Sequence, residues 1–415
     1  MTVQLSKHQD PAGSGADPAA LLAPGSPELA ALLEAIGAES AVRERDRIAP
    51  HEQIDLLRAA RFGALRVPVE HGGAGASLRE TFRLIMALAS VDSNVAHILR
   101  SHFAHVETVL RATDPAKRER GLREAAAGQI VAGAATELGA HKVGAESLAT
   151  TLRRDGDGVL RLNGVKYYST GSLYADALMF TALGDDEKLT AVVVPADREG
   201  ITLEDDWDGL GQSLTGTGTT RLEDVAVGDD ELLDLHLHAD GSFPRCGVLQ
   251  LYITAVIAGA LRNAADDAVI LVRSRAGRPF AHGAAEQPAD DPLLQEVVGE
   301  LVSAAYAAEA TVLRAAEAQD VEADSVRDGL PVPELADQAS LEAAQAKVVV
   351  DQIALAATAR IFDLGGASAT KRERNLDRHW RNVRTLSTHN PLLYKAQAIG
   401  DLALNGTPLP PNWFF

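Results

Sequence analysis

The sequence predicts an α+β protein in which a central antiparallel β-barrel domain lies between an N-terminal helical domain and a C-terminal helical bundle. Apolar residues recur at helical spacing up to about residue 128 and again from about residue 243. Between these regions, short apolar runs alternate with glycine- and aspartate-rich turns, which is typical of antiparallel strands. Aromatic residues make up only 4% of the chain, and alanine is abundant, which favours long, closely packed helices.

The boundaries of the predicted domains follow from these changes in pattern. Residues 1–26 are rich in Pro, Gly and Ala, and we interpret them as a flexible leader. We expect the N-terminal helical domain over residues 27–128, the β-barrel domain over residues 129–235, and the helical bundle over residues 236–415.

Individual elements have their own start and turn signals. Ser26 precedes a Pro-Glu pair, which predicts the N-cap and first turn of the first helix. The Asp-Gly-Asp-Gly sequence at 155–158 and the Gly-Asp-Asp sequence at 184–186 each separate two apolar runs, which predicts two β-hairpins. Apolar residues at helical spacing continue to Leu364 and are followed by a Gly-Gly pair, which predicts the end of a helix. A last short helix is expected after Pro391.

The charge and cysteine content exclude several classes of function. The chain has 39 Lys and Arg against 58 Asp and Glu, a formal net charge of −19. Such an acidic surface repels phosphate backbones and anionic lipids, so we expect neither nucleic-acid nor membrane partners. The only cysteine, Cys246, allows no internal disulfide. With no apolar run of about 18 residues and no signal-peptide pattern, we expect a cytoplasmic protein.

Three short segments occur in a characteristic order on this pattern. They are Pro-Val-Glu-His-Gly-Gly-Ala-Gly at 68–75, Thr-Glu-Leu at 136–138, and Asn-Gly-Val-Lys-Tyr-Tyr-Ser-Thr at 163–170. Together they resemble the acyl-CoA dehydrogenase superfamily over roughly residues 28–405. The resemblance implies the same helical, sheet and helical order of domains.

The C-terminal region departs from the dehydrogenases of that superfamily. Their base is commonly a glutamate in a Tyr-Glu-Gly segment, and an ungapped match places His389 and Asn390 at the Tyr and Glu positions. An amide cannot accept the α-proton of an acyl thioester, so the usual base is lost at this position. Some members carry the base on another helix, which leaves a dehydrogenase with a displaced base as an alternative.

A flavin-dependent monooxygenase branch of the superfamily is similar to this chain where the dehydrogenases are not. It includes dibenzothiophene and sulfone monooxygenases and amine or sugar N-oxygenases. The similarity rests on Asp-Trp-Asp-Gly-Leu-Gly-Gln at 206–212, Asp-Asp-Pro at 290–292, and the segment at 378–391 that begins Arg-His-Trp-Arg-Asn and ends His-Asn-Pro.

This resemblance implies a two-component monooxygenase. The flavin would be reduced FMN supplied by a separate reductase, with FAD as the lesser alternative. A C4a-peroxyflavin formed with dioxygen would transfer one oxygen atom to a small substrate containing sulfur or nitrogen. The superfamily commonly forms homotetramers, and we expect one here. The rival functions are an FAD-dependent acyl-CoA dehydrogenase with a displaced base and a non-catalytic paralogue that binds flavin or an acyl ligand.

Four residues are candidates for contact with the flavin ring. Thr136 and Thr170 match family positions at the isoalloxazine, where a hydroxyl can donate or accept a hydrogen bond, and Thr170 also joins the predicted catalytic set. The alternative is that both are ordinary strand threonines. Trp207 and Phe103 are candidates for the wall of the cavity; the alternatives are an edge aromatic and a core aromatic, respectively.

His389 and Asn390 are the other predicted catalytic residues. A histidine with a pKa near 6.5 could protonate or stabilise a flavin peroxide, and Asn390 could orient the segment before Pro391. The alternative is a capping or core histidine. Arg275 and Arg278 are candidates for binding the flavin phosphate across a subunit boundary, and the alternative is a solvated helix end.

A metal site is not expected. His97, His102, His105 and Glu107 lie close together in the sequence, but positions 97 and 102 do not share a helical face. A helix that faces the active-site cavity explains these residues better than a metal does.

Overall fold

The computed structural model describes residues 22–138, 148–233, 235, 247–412 and 414–415, and the statements below concern these residues. Cys246 and most of the expected leader lie outside them. Helices occupy the region before residue 127, strands the region from 131 to 233, and helices again the region from 247 onward. No described helix is long and apolar enough to cross a membrane.

The N-terminal region contains seven α-helices in the described residues. Ser26 caps the first of them by accepting a hydrogen bond from the Leu29 N–H at 3.1 Å, so the predicted N-cap is confirmed. Ser77 and Glu80 form a reciprocal capping box at the start of the fourth. The seven helices are α1 (Pro27–Gly37), α2 (Ser40–Asp46), α3 (His51–Ala59), α4 (Leu78–Ala89), α5 (Ser93–Ile98), α6 (Arg100–Leu110) and α7 (Pro115–Ala126).

The central region forms one mixed sheet of eight described strands. The strand order is β6-β7-β3-β2-β4-β5-β8, and β1 pairs with β4. Both predicted hairpins are confirmed, since β2 pairs antiparallel with β3 and β4 pairs antiparallel with β5. The strands are β1 (Val131–Ala134), β2 (Thr151–Arg154), β3 (Leu160–Ser169), β4 (Ala177–Leu183), β5 (Leu189–Pro195), β6 (Ile201–Leu203), β7 (Gly218–Val227) and β8 (Leu232–Leu233).

The expectation of a closed antiparallel barrel is wrong. In the described residues the end strands β6 and β8 do not pair with each other, so the sheet remains open. It is also not purely antiparallel, because β1 runs parallel to β4 with Val131 opposite Ala177. The β2–β3 hairpin lies between β1 and β4 in the chain, so the chain crosses over before these two strands pair.

The C-terminal region contains five described α-helices, with α8 at the centre. This helix is buried along most of its length and packs against α4 and the three helices that follow it. A Cβ at Gly259 would overlap the carbonyl oxygen of Met86, so glycine permits the close crossing of α4 and α8. The helices are α8 (Gly247–Arg273), α9 (Pro292–Arg327), α10 (Pro333–Arg360), α11 (Arg378–Ser387) and α12 (Leu392–Asn405).

Candidate active site

Two segments that the sequence analysis singled out separately bind directly to each other. The backbone N–H of Gln212 donates to Asn382 Oδ1 at 2.6 Å, and Arg381 Nη1 donates to the Leu210 carbonyl at 2.9 Å. A Cβ at Gly211 would overlap the Arg381 carbonyl, so the two backbones approach as closely as glycine allows. The 206–212 and 378–391 segments therefore form one structural unit between the sheet and the bundle.

A buried carboxylate connects this unit to the N-terminal helices. Glu44 Oε2 accepts hydrogen bonds from Asn382 Nδ2 at 2.8 Å and from Asn94 Nδ2 at 3.0 Å. Burial raises the pKa of Glu44, while the Asn382 hydrogen bond and Arg381 oppose that shift. Asn94 Oδ1 also accepts from the Leu214 N–H at 3.2 Å, so all three regions of the chain meet here.

The side chain of Gln212 determines the tautomer of His97. Gln212 Nε2 donates to Ser93 Oγ at 3.1 Å, and Oε1 lies 3.0 Å from His97 Nδ1. Because Oε1 can only accept, Nδ1 of His97 carries the proton. Nε2 of His97 is then a bare acceptor, buried and without a partner among the described residues. Burial, followed by the Arg100 charge, lowers the pKa of His97 to about 3.

His389 lies beside His97 in the turn between α11 and α12. Its Nε2 is 3.2 Å from Nη1 of Arg100. His389 is exposed to solvent, although enough protein packs around its imidazole to lower the pKa well below 6.5. The charges of Arg100, His97 and Lys347 act in the same direction. The direction of this shift favours the neutral form of the His389 imidazole.

Asn390, the residue after His389, is buried. Its Nδ2 donates to Oε1 of Gln250 in the first turn of α8. The Nε of Arg100 donates to the carbonyl of Leu249 in the same turn at 3.3 Å. The start of α8 thus supports both Asn390 and Arg100, and we refer to His97, Arg100 and His389 together as the histidine recess.

A chain of threonine hydroxyls connects Thr170 to the recess. Thr170 Oγ1 is 2.8 Å from Thr217 Oγ1, which is 2.7 Å from Thr215 Oγ1. The last hydroxyl donates to the carbonyl of Gln212 at 2.8 Å. Thr170 is half-buried at the end of β3, so its side chain is held by neighbours and still accessible.

Thr136 is positioned by an ion pair next to it in the sequence. Its carbonyl accepts from the Tyr167 N–H at 2.9 Å. Glu137 accepts from the fully buried Nζ of Lys166 and from Thr150 Oγ1, both at 2.6 Å. The Thr-Glu-Leu and Asn-Gly-Val-Lys segments therefore belong together physically, because a glutamate of one neutralises the lysine of the other.

Trp207 is half-buried and folds back over its own loop. Its Nε1 donates to the Gly211 carbonyl at 3.1 Å, and its ring meets Tyr168 edge-on with centroids 6.0 Å apart. A Cβ at Gly209 would overlap the indole, so that position needs glycine. Trp207 and Tyr168 form an aromatic wall close to Thr170, whose N–H donates to the Tyr168 carbonyl at 2.8 Å.

Phe103 is a core residue in this structure, as the alternative interpretation held. It is 2% exposed and packs against Phe62 and Tyr252, with ring centroids 6.4 and 5.8 Å away. Because it has so little accessible surface, Phe103 packs between the helices and is not available to contact a cofactor in this structure.

Arg275 and Arg278 form a cationic cluster with Arg374, and no described contact joins this cluster to the histidine recess. Arg275 lies 4.0 Å above the Phe280 ring, and its Nε is buried without a hydrogen-bond partner among the described residues. Burial and then the charges of Arg278 and Arg374 lower the pKa of Arg275. Arg278 is exposed and donates to the Ser274 carbonyl at 2.6 Å.

Sequence reasoning did not identify Arg100 and Gln212 as site residues, and it placed His97 on a helix that faces the active-site cavity without giving it a role. The available signal was the spacing of His97 and Arg100, which lie three residues apart and point to one side of the α5–α6 region. Glu107, from the same candidate metal group, instead pairs with Arg66 at 2.6 Å.

The family follows from comparison with known proteins. Models described as the N-terminal, middle and C-terminal domains of acyl-CoA dehydrogenase match residues 32–129, 132–225 and 251–392. The chain belongs to the acyl-CoA dehydrogenase family. The resemblance stated from the motifs is thereby confirmed, and the helical, sheet and helical order is that of the family.

Three relatives show which members of the acyl-CoA dehydrogenase family this chain is similar to. A dibenzothiophene monooxygenase of Mycolicibacterium goodii is 29% identical over 388 residues, covering 90% of this chain and 92% of that protein. The probable FMNH2-dependent monooxygenase SfnC of Pseudomonas putida is 30% identical over 399 residues, covering 94% and 98%. The crystal structure of FMN-bound TdsC from Paenibacillus sp. A11-2 superposes with a TM-score of 0.83 at 27% identity, covering 93% and 100%.

Proposed function

We propose that this protein is an FMNH2-dependent monooxygenase, which takes reduced FMN from a separate reductase and transfers one oxygen atom of dioxygen to a small sulfur- or nitrogen-containing substrate. The observation that carries the proposal is the composition of the histidine recess. The groups that shift the pKa of His389 are Arg100, His97, Lys347 and Asn390. Within the part of the chain that the structure describes, none of these groups is a carboxylate that could act as the base of a dehydrogenase.

The described residues suit FMN. Arg275 has a buried Nε without a partner, and a guanidinium donates well to a phosphate. We propose that Arg275 and Arg278 bind the phosphate of a flavin held by a neighbouring subunit. Thr136 and Thr170 offer hydroxyls to the polar edge of the ring, and the Trp207 wall offers an aromatic surface. When bound, the reduced flavin supplies the electrons that activate dioxygen.

The residues of the recess have separate proposed roles. His389 donates a hydrogen bond from its neutral imidazole to the oxygen that is being activated. Asn390 fixes the turn that carries His389, through its bond to Gln250. Thr170 donates to the flavin or to the bound oxygen, supported by the Thr217 hydroxyl. The buried Asn390 and the half-buried Thr170 limit the access of bulk water to the reactive oxygen.

Assembly and location are part of the same proposal. Large apolar side chains are exposed on the outer bundle helices, among them Leu293 and Tyr306 on α9 and Leu393 and Leu404 on α12. Exposed apolar surface of this kind favours burial between subunits. We propose a homotetramer in the cytoplasm, in which a neighbouring subunit completes the phosphate site.

Flavin preference tests the proposal against its main rival. Under anaerobic conditions the purified chain is titrated with reduced FMN, oxidised FMN and FAD, with protein fluorescence as the readout. We expect reduced FMN to bind more tightly than oxidised FMN, and we expect no acyl-CoA to reduce the bound flavin. Tight copurification of FAD, together with its reduction by an acyl-CoA, would instead show a dehydrogenase with a displaced base.

A further inference from the structure

We propose that Arg100 is a positioning residue for His389, which holds Nε2 as an acceptor so that the neutral imidazole presents Nδ1–H as a hydrogen-bond donor. Arg100 lies outside the sequence motifs that resemble the monooxygenases. Its consequence for oxygen transfer rests on the proposed function, but the protonation of His389 can be measured without it.

The direction of the Arg100–His389 hydrogen bond follows from the chemistry of the two groups. A guanidinium has five N–H donors and no acceptor, and it remains protonated at all physiological pH values. At a distance of 3.2 Å between Nη1 and Nε2, the lone pair of Nε2 must therefore face Arg100. A proton on Nε2 would point at the guanidinium and break the bond, so the imidazole proton is on Nδ1.

Arg100 is itself fixed in position. It occupies the first position of α6, and its Nε donates to the carbonyl of Leu249 in the first turn of α8 at 3.3 Å. Two directional bonds, one to backbone and one to His389, restrain the plane of the guanidinium. Arg100 thus connects the N-terminal helices to the bundle at the residue that we propose as the oxygen-facing donor.

The charged groups around His389 all oppose its protonation. Arg100 on α6 is the nearest, Lys347 on α10 acts from the bundle side, and His97 contributes from α5. Lys347 is bonded to Asp351 at 2.7 Å, which anchors the lysine in the bundle. The Asn390 side chain acts in the opposite direction through a hydrogen bond to the imidazole, and it carries no charge. An imidazolium here would meet the positive charge of Arg100 at contact distance, so the neutral form is favoured.

A neutral donor has a chemical advantage over a titrating acid at this position. It can hydrogen-bond to a developing negative charge on oxygen, which stabilises that charge without giving up a proton. An imidazolium would instead transfer a proton to reduced oxygen and favour its release as hydrogen peroxide. Arg100 therefore determines whether His389 favours transfer of oxygen to the substrate or its release as hydrogen peroxide.

The test measures the pKa of His389 in the protein without flavin. Exchange of the histidine C2 hydrogen, followed by peptide mass spectrometry, yields a pKa for each histidine in a large protein. In the native chain we expect His389 to titrate well below the reference value near 6.5. In Arg100→Gln we expect the pKa to rise by about one unit or more, the usual effect of removing a like charge at contact distance.

Two further variants make the result specific. Arg100→Lys keeps a cation, and we expect His389 to remain neutral in it. Arg79→Gln removes a surface arginine that pairs with Glu317 at 2.9 Å, and we expect no change at His389. An unchanged pKa in Arg100→Gln, or a native His389 that titrates near 6.5, would overturn the proposal.

Activity provides a separate readout. With reduced FMN, Arg100→Gln should release more hydrogen peroxide per flavin consumed, while Arg79→Gln should not. A shifted pKa in a chain that never transfers oxygen would uphold the role of Arg100 and refute the proposed function. An unchanged pKa in an active monooxygenase would refute the role of Arg100 and uphold the proposed function.

Discussion

The histidine recess and the Lys166–Glu137 pair are both polar networks that connect distant parts of the chain. They differ in how many of their polar groups have hydrogen-bond partners. Around Glu137, the lysine, a hydroxyl and two backbone N–H groups all donate to one carboxylate. In the recess, His97 Nε2 is left without a partner among the described residues, and the charges acting on His389 are of one sign. A network in which every polar group has a hydrogen-bond partner stabilises the fold. A network that leaves a polar group without a partner indicates a site for a ligand or a reaction.

The largest effect expected from this comparison is on His389. His389→Ala should reduce oxygen transfer by roughly two to four orders of magnitude, because it removes the donor nearest the activated oxygen. Melting temperature and reduced-FMN affinity should stay close to native values. His389→Asn should retain more activity than His389→Ala, since its Nδ2 can replace the Nδ1–H donor.

The control for His389 is His282→Ala, in an exposed loop. It should leave product yield unchanged. A loss of activity in His389→Ala that only follows a loss of stability would show that the histidine is structural.

The next largest effect is expected on the stability of the satisfied network. Lys166→Met removes the cation that pairs with the partly buried Glu137 carboxylate, which should lower the free energy of unfolding by about 3 kcal/mol. Urea unfolding measures this change. The double variant with Glu137→Gln should recover part of the loss, and Lys188→Met in an exposed pair should change stability by less than about 0.5 kcal/mol.

Gln212 should show an intermediate effect, because it belongs to both the fold and the recess. Gln212→Leu leaves the buried Nδ1–H of His97 without an acceptor, which should cost about 2 kcal/mol of stability. It should also lower the yield of oxygenated product, since the His97 ring is no longer oriented. Gln295→Leu, which removes an exposed side-chain bond, serves as the control, and equal effects of the two variants on product yield would contradict the assignment.

The effect that is smallest at neutral pH concerns a histidine outside the recess. Burial lowers the pKa of His105 to about 3, so the unfolded chain binds a proton between about pH 6.5 and pH 3 that the folded chain does not. Stability therefore falls as the pH is lowered through this window. In urea unfolding at several pH values, His105→Leu should reduce the slope by about 1.4 kcal/mol per pH unit. Val106→Ala should lower stability without altering the slope, and an unchanged slope in His105→Leu would contradict the prediction.

Local patterns predicted the parts of the fold that depend on neighbouring residues. The order of helices and strands, both hairpins and the Ser26 cap follow from periodicity, turn residues and capping chemistry. Local patterns did not predict whether the sheet closes, because closure depends on pairing between strands that are far apart in the chain. The parallel β1–β4 pairing and the unpaired ends of the sheet are properties of the whole sheet rather than of any segment.

The recess was predicted only in part, for a similar reason. His389 and Asn390 were identified through their motif, but Arg100 lies 289 positions before His389 in the sequence, and no local signal connects the two. The tautomers of His97 and His389 depend on donors from other elements. The low pKa of His389 depends on burial and on the charges of Arg100 and Lys347, neither of which lies within 40 residues of it in the chain.

The measurement that tests the central claim most directly is the reaction of reduced FMN with dioxygen in the presence of the protein. The chain is mixed anaerobically with reduced FMN and then rapidly with oxygenated buffer, while oxygen and the absorbance of oxidised flavin are followed together. A monooxygenase consumes oxygen first, and the oxidised-flavin absorbance returns with a lag that shortens in His389→Ala. Simultaneous oxygen loss and flavin oxidation, at the rate of free reduced FMN, would contradict the account.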